Sequence, residues 1–463
     1  MALMCPSCQA VAAVRVPRCE RCWRTLTDVT ELSPEEANRA AERIAASNKA
    51  RQQTRRRLRV GVLGMAALAL VAGGWIVRAQ VSPPPPFPLP VSDARSMVVA
   101  PDIWPSASGG AGTDRSTPAA MNLDLTRTWT TALESPVAVP PSVGPDALYV
   151  ALADSTLLAL DSGTGASRWR RALPATPRAT PVLAGDLLFV GMPSGAVLAI
   201  ETATGDLRWE RALPRALTGL LLVNGGEVLV AAPPLVVSLG AETSEVLWQI
   251  DVGADIAITH MAVDESRLVV GSPSSVRVYD RRNGAQTYWY DFHPVVDGIA
   301  LDDSALYVVS SLALVAIDTV KSSRPWWEPI RGLWLQWWVW GSAPEVPAPP
   351  SVWVQNRPPN GHAPALSRER LFVADRSGVV AAYDRTSGAP LWQQAVGMVV
   401  DAPIATASGL VVPLSDGFVL LDEQRGEVLV RQRIGATVRS VSVSDHGVYV
   451  VLRDGAILAL QRR

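Results

Sequence analysis

Cysteine is missing from residues 23–463, which leaves 441 residues with no thiol for a disulfide or for nucleophilic attack. An excess of charge of one sign is missing too, because 42 Lys and Arg residues balance 43 Asp and Glu residues. This balance argues against the basic surface expected of a nucleic-acid-binding protein. Histidine is scarce, and the four present are His260, His293, His362 and His446. Their wide separation offers no spaced pair for metal binding or catalysis.

All four cysteines lie in the first 22 residues, as two CxxC pairs separated by ten residues. Four thiolates so arranged can surround one tetrahedral zinc ion, and so short a segment has no core that would fold without metal. The spacing resembles that of short bacterial zinc ribbons over residues 1–28, which implies zinc as a cofactor. The implied ligands are Cys5, Cys8, Cys19 and Cys22. Unliganded thiols or redox pairs are the alternative, and a small protein-docking module is the preferred role.

An apolar run comes directly after a basic one. Residues 29–59 predict a polar helix that becomes basic toward its end, with Ser33 as N-cap and Glu36 closing a capping box. Residues 60–77 then carry no charged side chain, and eighteen such residues suffice to span a bilayer. The positive-inside rule places the N-terminus in the cytoplasm. We therefore expect a transmembrane helix at 60–78 and a single-pass protein of the plasma (inner) membrane. A cleaved signal peptide is the less favoured alternative.

Residues 79–120 are rich in Pro, Ser and Gly and predict a spacer between the bilayer and the C-terminal part of the chain. Beyond residue 121 tryptophan recurs about every forty residues, the period of a propeller blade with four short strands. The recurring positions are Trp129, Trp169, Trp209, Trp248, Trp289, Trp326 and Trp392, with Val430 at the eighth place. The sequence therefore predicts an all-β, eight-bladed propeller over 121–463. We expect the Trp129 strand to close the ring by pairing with the last strand of the chain.

The repeat has a second marker, the pattern AxDxxTGxxxW, which is complete from Ala159 to Trp169. This pattern resembles the tryptophan-docking motif of the pyrroloquinoline-quinone-like propeller family. The resemblance implies that each Trp stacks between neighbouring blades. The family includes quinoprotein dehydrogenases, which hold a quinone and calcium. It also has a non-enzymatic branch, with the eight-bladed lipoprotein of the outer-membrane β-barrel assembly machinery.

A binding function is favoured over catalysis. The propeller lacks the adjacent cysteine pair of many quinoprotein dehydrogenases, and its recurring carboxylates, such as Asp161 and Asp384, mark turns and not an acid and base pair. No catalytic residue and no cofactor-binding residue is therefore assigned in the propeller. We expect a scaffold that binds protein partners in the cell envelope and does not bind nucleic acid. The alternatives are a quinoprotein dehydrogenase-like enzyme and a transmembrane sensor that couples the propeller to the zinc ribbon.

The last feature is a tryptophan-rich insertion at about 327–365, predicted to leave the ring between the outer strand of Trp326 and the next inner strand. Its apolar residues cover nearly the whole circumference of a helix. One interpretation is a cap folded onto the propeller. The other is a docking element for a protein or a membrane. The candidate partner-binding residues are Trp334, Trp337, Trp338 and Trp340.

Overall fold

Two units make up the chain, residues 1–82 and 83–463, and they are described separately. The structure is a computed structural model. It describes residues 2–5, 11–12, 17–19, 22, 25, 30–40, 42, 43, 46, 49, 64, 73, 103–106, 108–110, 113–121, 124–253, 256–291, 295–319, 331–344, 351–356 and 361–462.

The first unit contains a small antiparallel sheet in which Ala2–Met4 lies between Val11–Ala12 and Thr30–Leu32. A helix begins after Ser33. The predicted capping box is confirmed, because the Ser33 backbone N–H donates to Glu36 Oε2 at 3.0 Å while the Glu36 N–H donates to Ser33 Oγ at 3.4 Å. Hydrogen bonds from the Ser33 backbone N–H and the Ser33 hydroxyl lower the pKa of the Glu36 carboxyl group.

Among the described residues, no helix is both long and apolar enough to cross a membrane. The predicted span at 60–78 lies outside the described residues, apart from Gly64 and Gly73.

The second unit is an eight-bladed propeller, as predicted, in which each blade is a four-stranded antiparallel sheet. In blades 1–4 the strands are, in order, Ser142–Val143, Ala147–Ala151, Thr156–Asp161 and Ser167–Ala172; Val182–Ala184, Leu187–Gly191, Ala196–Glu201 and Leu207–Ala212; Leu221–Asn224, Glu227–Ala232, Leu235–Gly240 and Val246–Asp251; and His260–Val263, Arg267–Gly271, Ser275–Asp280 and Gln286–Asp291. In blades 5–8 they are Val296–Leu301, Leu306–Ser310, Ala313–Ile317 and Ser351–Asn356; Ala365–Leu366, Arg370–Ala374, Val379–Asp384 and Pro390–Ala395; Ile404–Thr406, Gly409–Leu414, Gly417–Leu421 and Val428–Arg433; and Val438–Ser444, Gly447–Leu452, Ile457–Arg462 and Leu125–Thr131.

The ring closes where the sequence predicted. Leu125–Thr131, from the start of the propeller, forms the fourth strand of blade 8, and Trp129 lies opposite Ala459 of the last strand. This closure removes the unpaired edge that blade 8 would otherwise expose.

The strands of a blade alternate in direction, which gives the propeller two distinct faces. The turns between strands 1 and 2 and between strands 3 and 4 lie on one face, here called the upper face. The turns between strands 2 and 3 and the connections between blades lie on the opposite, lower face. The first strands of neighbouring blades contact one another and line the central channel.

Burial explains why the middle strands read as continuous apolar runs. In blade 1 the second strand, Ala147–Ala151, is buried at every position. The fourth strand, Ser167–Ala172, is never fully buried. Middle strands are covered on both faces by neighbouring blades, so the alternation of a half-exposed strand is absent. The hydrophobic core is therefore a series of layers between blades.

In five blades a tryptophan of the fourth strand bonds to the next blade. The indole N–H of Trp169 donates to the Thr202 carbonyl of blade 2 at 2.8 Å, and its ring packs against Tyr149 at a centroid distance of 6.0 Å. The same bond to the next blade recurs four times: Trp129 to Ser162, Trp209 to Ala241, Trp353 to Arg385 and Trp392 to Glu423. The docking role implied by the family resemblance is present.

Between blades 3 and 4 the contact is made by an ion pair instead of this bond. The N–H of Trp248 donates to Glu227 Oε2 at 3.0 Å within its own blade. The same carboxylate oxygen lies 3.0 Å from the guanidinium of Arg281 in blade 4, and both side chains are nearly buried. An ion pair thus carries the contact between blades here.

Trp353, and not Trp326, is the docking tryptophan of blade 5, so the prediction from spacing was wrong at this position. Trp326 itself lies outside the described residues. The insertion therefore lies inside blade 5, between its third strand and its fourth, and not between two blades. The error arose because Trp326 follows Trp289 by 37 residues, close to the normal period, while the inserted segment displaces the true fourth strand.

Glycine occupies the turn before several of the docking strands for two reasons, whereas blade 3 has Ser244, with φ +61°, at that position. Gly205 has φ +79°, and a Cβ added to it would lie 2.8 Å from the ring of Trp169. Gly388 meets Trp353 in the same way at 2.4 Å. A side chain in place of Gly205 or Gly388 would be strained and would also push the indole away from the next blade.

Gly205→Ala and Gly435→Ala separate these two effects, because both glycines have φ +79° but Gly435 has nothing within 4 Å of its added Cβ. We expect Gly435→Ala to cost about 1 kcal/mol from backbone strain alone. Gly205→Ala should cost a further 1–3 kcal/mol or so from overpacking. Thermal unfolding of the two variants measures the difference. Equal melting temperatures of the two variants would show that the close contact between Gly205 and the Trp169 indole does not contribute to the stability of the propeller.

Candidate functional site

The insertion in blade 5 contains one helix in its described part, Arg331–Val339. It ends at Gly341, whose φ is +69°. The Gly341 N–H donates to the Trp338 carbonyl and the Ser342 N–H to the Trp337 carbonyl, both at 2.8 Å. This pair of bonds is a Schellman motif, which satisfies the last carbonyls of a helix. Because the segment joins strands 3 and 4 of its blade, the helix belongs to the upper face.

Side chains of this helix remain exposed on the surface. Exposed fractions are 45% for Trp337, 43% for Trp338, 70% for Val339 and 65% for Trp340. Trp334 is half-buried, and its indole N–H donates to the chain's own Pro344 carbonyl at 2.9 Å. Of the four candidate partner-binding residues, three are therefore open to solvent and one is engaged internally. This exposure favours a docking element over a buried cap.

A second feature was missed by sequence reasoning. The described residues 103–106, 108–110 and 113–121, here called the channel segment, fall mostly within the predicted spacer but lie against the first strands of the blades. Trp104 exchanges two backbone hydrogen bonds with Val143 of blade 1, at 3.0 and 2.9 Å. Further backbone bonds reach blades 2, 6 and 7, and the Asp445 carboxylate of blade 8 accepts from the Ala120 N–H at 3.0 Å. Most of these partners lie beside the turns of the upper face.

Arg115 anchors the channel segment inside the ring. Its side chain is buried and donates to the carbonyls of Pro403 and Ala402 at 3.1 and 3.0 Å. It lies 3.5 Å from the Asp401 carboxylate and beneath the ring of Trp104, 5.9 Å from the centroid. Neither Trp104 nor Arg115 belongs to a repeat, so no pattern in the sequence pointed to this role.

A cavity of about 480 Å³ opens between blades 5, 6 and 7 beside this segment. Four of its charged lining residues, Asp114, Asp302, Arg385 and Glu423, have partners within the protein, and a fifth, Arg368, is exposed. Arg385 forms an ion pair with Asp302, and Ser116 Oγ donates to the Asp114 carboxylate at 2.6 Å. Burial raises the pKa of Asp114 and lowers that of Arg385. Most of the charge that lines the cavity is therefore engaged within the protein.

At its upper mouth the channel is occupied by residues of the chain itself. The channel segment forms backbone hydrogen bonds with the first strands of blades 1, 2, 6 and 7, at the upper mouth of the channel. The guanidinium of Arg115 lies next to blade 7, where it donates to the carbonyls of Pro403 and Ala402. A quinone in this part of the channel would have to displace both.

Titratable residues elsewhere do not assemble into a catalytic set among the described residues. His260 faces the Asp297 carbonyl at 3.3 Å, and burial lowers the pKa of both His260 and His362. The carboxylates of the turns accept hydrogen bonds from the backbone of the same turn. For example, Asp161 Oδ1 accepts from the Thr164 N–H at 2.9 Å. Hydrogen bonds from Arg168 and Thr164 lower the Asp161 pKa to about 2. The predicted role as turn formers agrees with these contacts.

Three of the four predicted zinc ligands come together in the first unit. The sulfur atoms of Cys5, Cys19 and Cys22 all lie within 4.8 Å of one another, and Cys5 Sγ is 3.7 Å from Cys22 Sγ. Zn–S bonds of 2.3 Å in a tetrahedron place sulfurs about 3.8 Å apart. The donor set and spacing therefore fit zinc. Cys8 lies outside the described residues.

The fold and the docking tryptophans define a tryptophan-docked, eight-bladed propeller of the PQQ-like type. The sequence model for the family described as outer membrane protein assembly factor BamB matches residues 124–220, 213–332, 338–417 and 376–463. The chain belongs to this family. No curated protein gives a significant sequence match.

Solved structures share the fold at low identity. BamB from Moraxella catarrhalis matches with a TM-score of 0.55 and 17% identity over 73% of this chain and 100% of its own. The computationally designed Ika8 protein matches with the same TM-score, 14% identity and coverages of 72% and 98%. Quinohemoprotein alcohol dehydrogenase from Comamonas testosteroni matches at 0.55, with 14% identity and coverages of 78% and 80%. Binding proteins and enzymes both use this fold, so the fold alone does not assign activity.

Arg115→Met tests whether the channel segment is part of the folded ring. Removing the guanidinium leaves Asp401 and two carbonyls without their partner, and we expect a loss of about 2–3 kcal/mol. Arg170→Met is the matched control, because its ion pair with Glu134 is exposed. The control should leave the melting temperature unchanged. An unchanged melting temperature in Arg115→Met as well would show that the segment is dispensable.

Proposed function

We propose that the protein is a membrane-anchored β-propeller scaffold of the cell envelope, which binds protein partners outside the cytoplasm and is not an enzyme. The observation that carries the proposal is the match of a family described as an outer membrane assembly factor to nearly all of the propeller. The apolar run at 60–77 supports anchoring by one transmembrane helix, and the cations before it support a cytoplasmic N-terminus.

The lower face supports a binding role with its exposed apolar side chains. Val295 and Leu312 are more than half exposed. They lie close together, because the Ser311 N–H donates to the Val295 carbonyl at 3.0 Å. Met398, in the connection between blades 6 and 7, is exposed on the same face. Adjacent exposed apolar side chains are typical of contact surfaces.

Two further elements complete the proposal. The tryptophans of the blade 5 insertion, Trp334, Trp337, Trp338 and Trp340, form a second contact element on the upper face, supported by the exposure of the last three. In the cytoplasmic unit, one zinc ion is held by Cys5, Cys8, Cys19 and Cys22. The sulfur spacing of the three described cysteines supports the metal.

Leu312→Cys tests location and binding together, since the propeller has no cysteine of its own. Spheroplasts are treated with a membrane-impermeant maleimide that carries a photoreactive group. We expect labelling without permeabilisation and, after illumination, one discrete protein adduct. Glu242→Cys, in an exposed upper-face turn of blade 3, is the control and should be labelled without giving that adduct. Labelling only after permeabilisation would place the propeller in the cytoplasm. Labelling without any protein adduct would contradict the binding of a protein partner at the lower face.

Metal analysis of the full-length chain tests the zinc site. We expect close to one zinc per chain under reducing conditions, because four thiolates complete one tetrahedral site. Cys5→Ser should lose most of this zinc, whereas Thr25→Ser, in the same segment, should keep it. A chain that contains well under half an equivalent of zinc, or a Cys5→Ser variant that retains it, would argue for unliganded thiols.

A further inference from the structure

The helix of the blade 5 insertion has only two polar side chains, Arg331 and Gln336, and its C-terminal turn is surrounded by large apolar ones. Residues 333–344 contain no ionisable side chain. Four consecutive residues cover a whole helical turn, and positions 337–340 are all large, apolar and exposed. Any orientation of this helix in water therefore leaves indole or aliphatic surface unprotected.

This all-round exposure decides between two kinds of partner. A groove in a protein covers one side of a helix, as helix-in-groove recognition does, and would leave the opposite indoles in water. The interface of a bilayer surrounds a shallowly inserted segment, and tryptophan is enriched there because its N–H reaches the polar layer while its ring remains apolar. A helix of nine residues is about 14 Å long and cannot cross a hydrocarbon core of about 30 Å.

The path of the chain places this helix on the side of the tether. The channel segment joins the ring at Trp104, which pairs with Val143 next to the upper-face turn of blade 1. The helix lies in an upper-face connection of blade 5. Residues 78–102, between the predicted span and the channel segment, can extend at most about 90 Å. The tether therefore joins the ring on the same face as the tryptophans.

We propose that Trp337, Trp338 and Trp340 insert into the outer interface of the bilayer in which the chain is anchored, so that the upper face rests on lipid. This inference rests on the proposed function, because it requires the propeller to lie beside the anchoring membrane. It leaves the lower face free for protein partners.

The test uses the full chain with a protease site inserted after Pro90, reconstituted into protein-free vesicles of phosphatidylethanolamine and phosphatidylglycerol. Cleavage separates the propeller from its anchor, and sedimentation measures how much of it stays on the vesicles. We expect most of the wild-type propeller to remain. In the combined variant Trp337→Ser, Trp338→Ser, Trp340→Ser, partitioning should fall at least about 100-fold, since burial of one indole is worth a tenfold effect or more.

A matched variant controls for general loss of apolar surface. Val295→Ser, Leu312→Ser and Met398→Ser together remove three exposed apolar side chains from the lower face and should leave retention unchanged. Retention should also survive about 1 M salt, where charge attraction is screened within about 3 Å. Melting temperatures of both variants confirm that the ring is intact.

Release of the wild-type propeller from lipid vesicles would overturn the inference. If it is released there but retained on native membranes through the same tryptophans, the partner of this helix is a protein and the bilayer assignment is wrong. These results are independent of maleimide labelling at residue 312, so failure of lipid binding and failure of the proposed location can be told apart.

Discussion

The bond from a tryptophan N–H to a backbone carbonyl of the next blade is the interaction on which the ring depends. Gly205 lies beneath Trp169, where an added Cβ would be 2.8 Å from the ring. Blade 3, in contrast, has Ser244 at the corresponding turn position, and Trp209 still forms its bond. Five interfaces use this bond. Between blades 3 and 4 the buried Glu227–Arg281 ion pair joins the blades instead. The spacing of the blades sets the width of the channel and the positions of the loops on both faces.

The periodic part of this architecture could be predicted from the sequence. A tryptophan recurs about once per blade, with Val430 at the eighth place, so the period, the number of blades and the pairing of Trp129 with the last strand follow from residue spacing. Trp326 and Trp353 could not be told apart in this way, because an insertion inside a blade leaves a tryptophan at almost the normal distance. Only strand pairing, with Trp353 opposite Ala316, identifies the fourth strand.

Features that occur once were beyond prediction for a different reason. The channel segment has no counterpart in the repeat, and its composition resembles a spacer. Its place depends on tertiary contacts, above all the carbonyls that accept from Arg115. The exposed tryptophans of blade 5 were recognised from composition alone, but their face was not. Their assignment to the upper face followed from the order of strands, and this places them on the side where the chain enters the ring.

The central claim is that the propeller lies with its upper face on the anchoring bilayer. Electron cryo-microscopy of the full-length chain in a lipid nanodisc tests this most directly, because blade 5 can be identified by its insertion. The account predicts that the helix Arg331–Val339 lies at the level of the lipid headgroups and that the lower face points away from the disc. A propeller whose lower face is turned to the lipid, or whose insertion stands clear of it in water, would contradict the account.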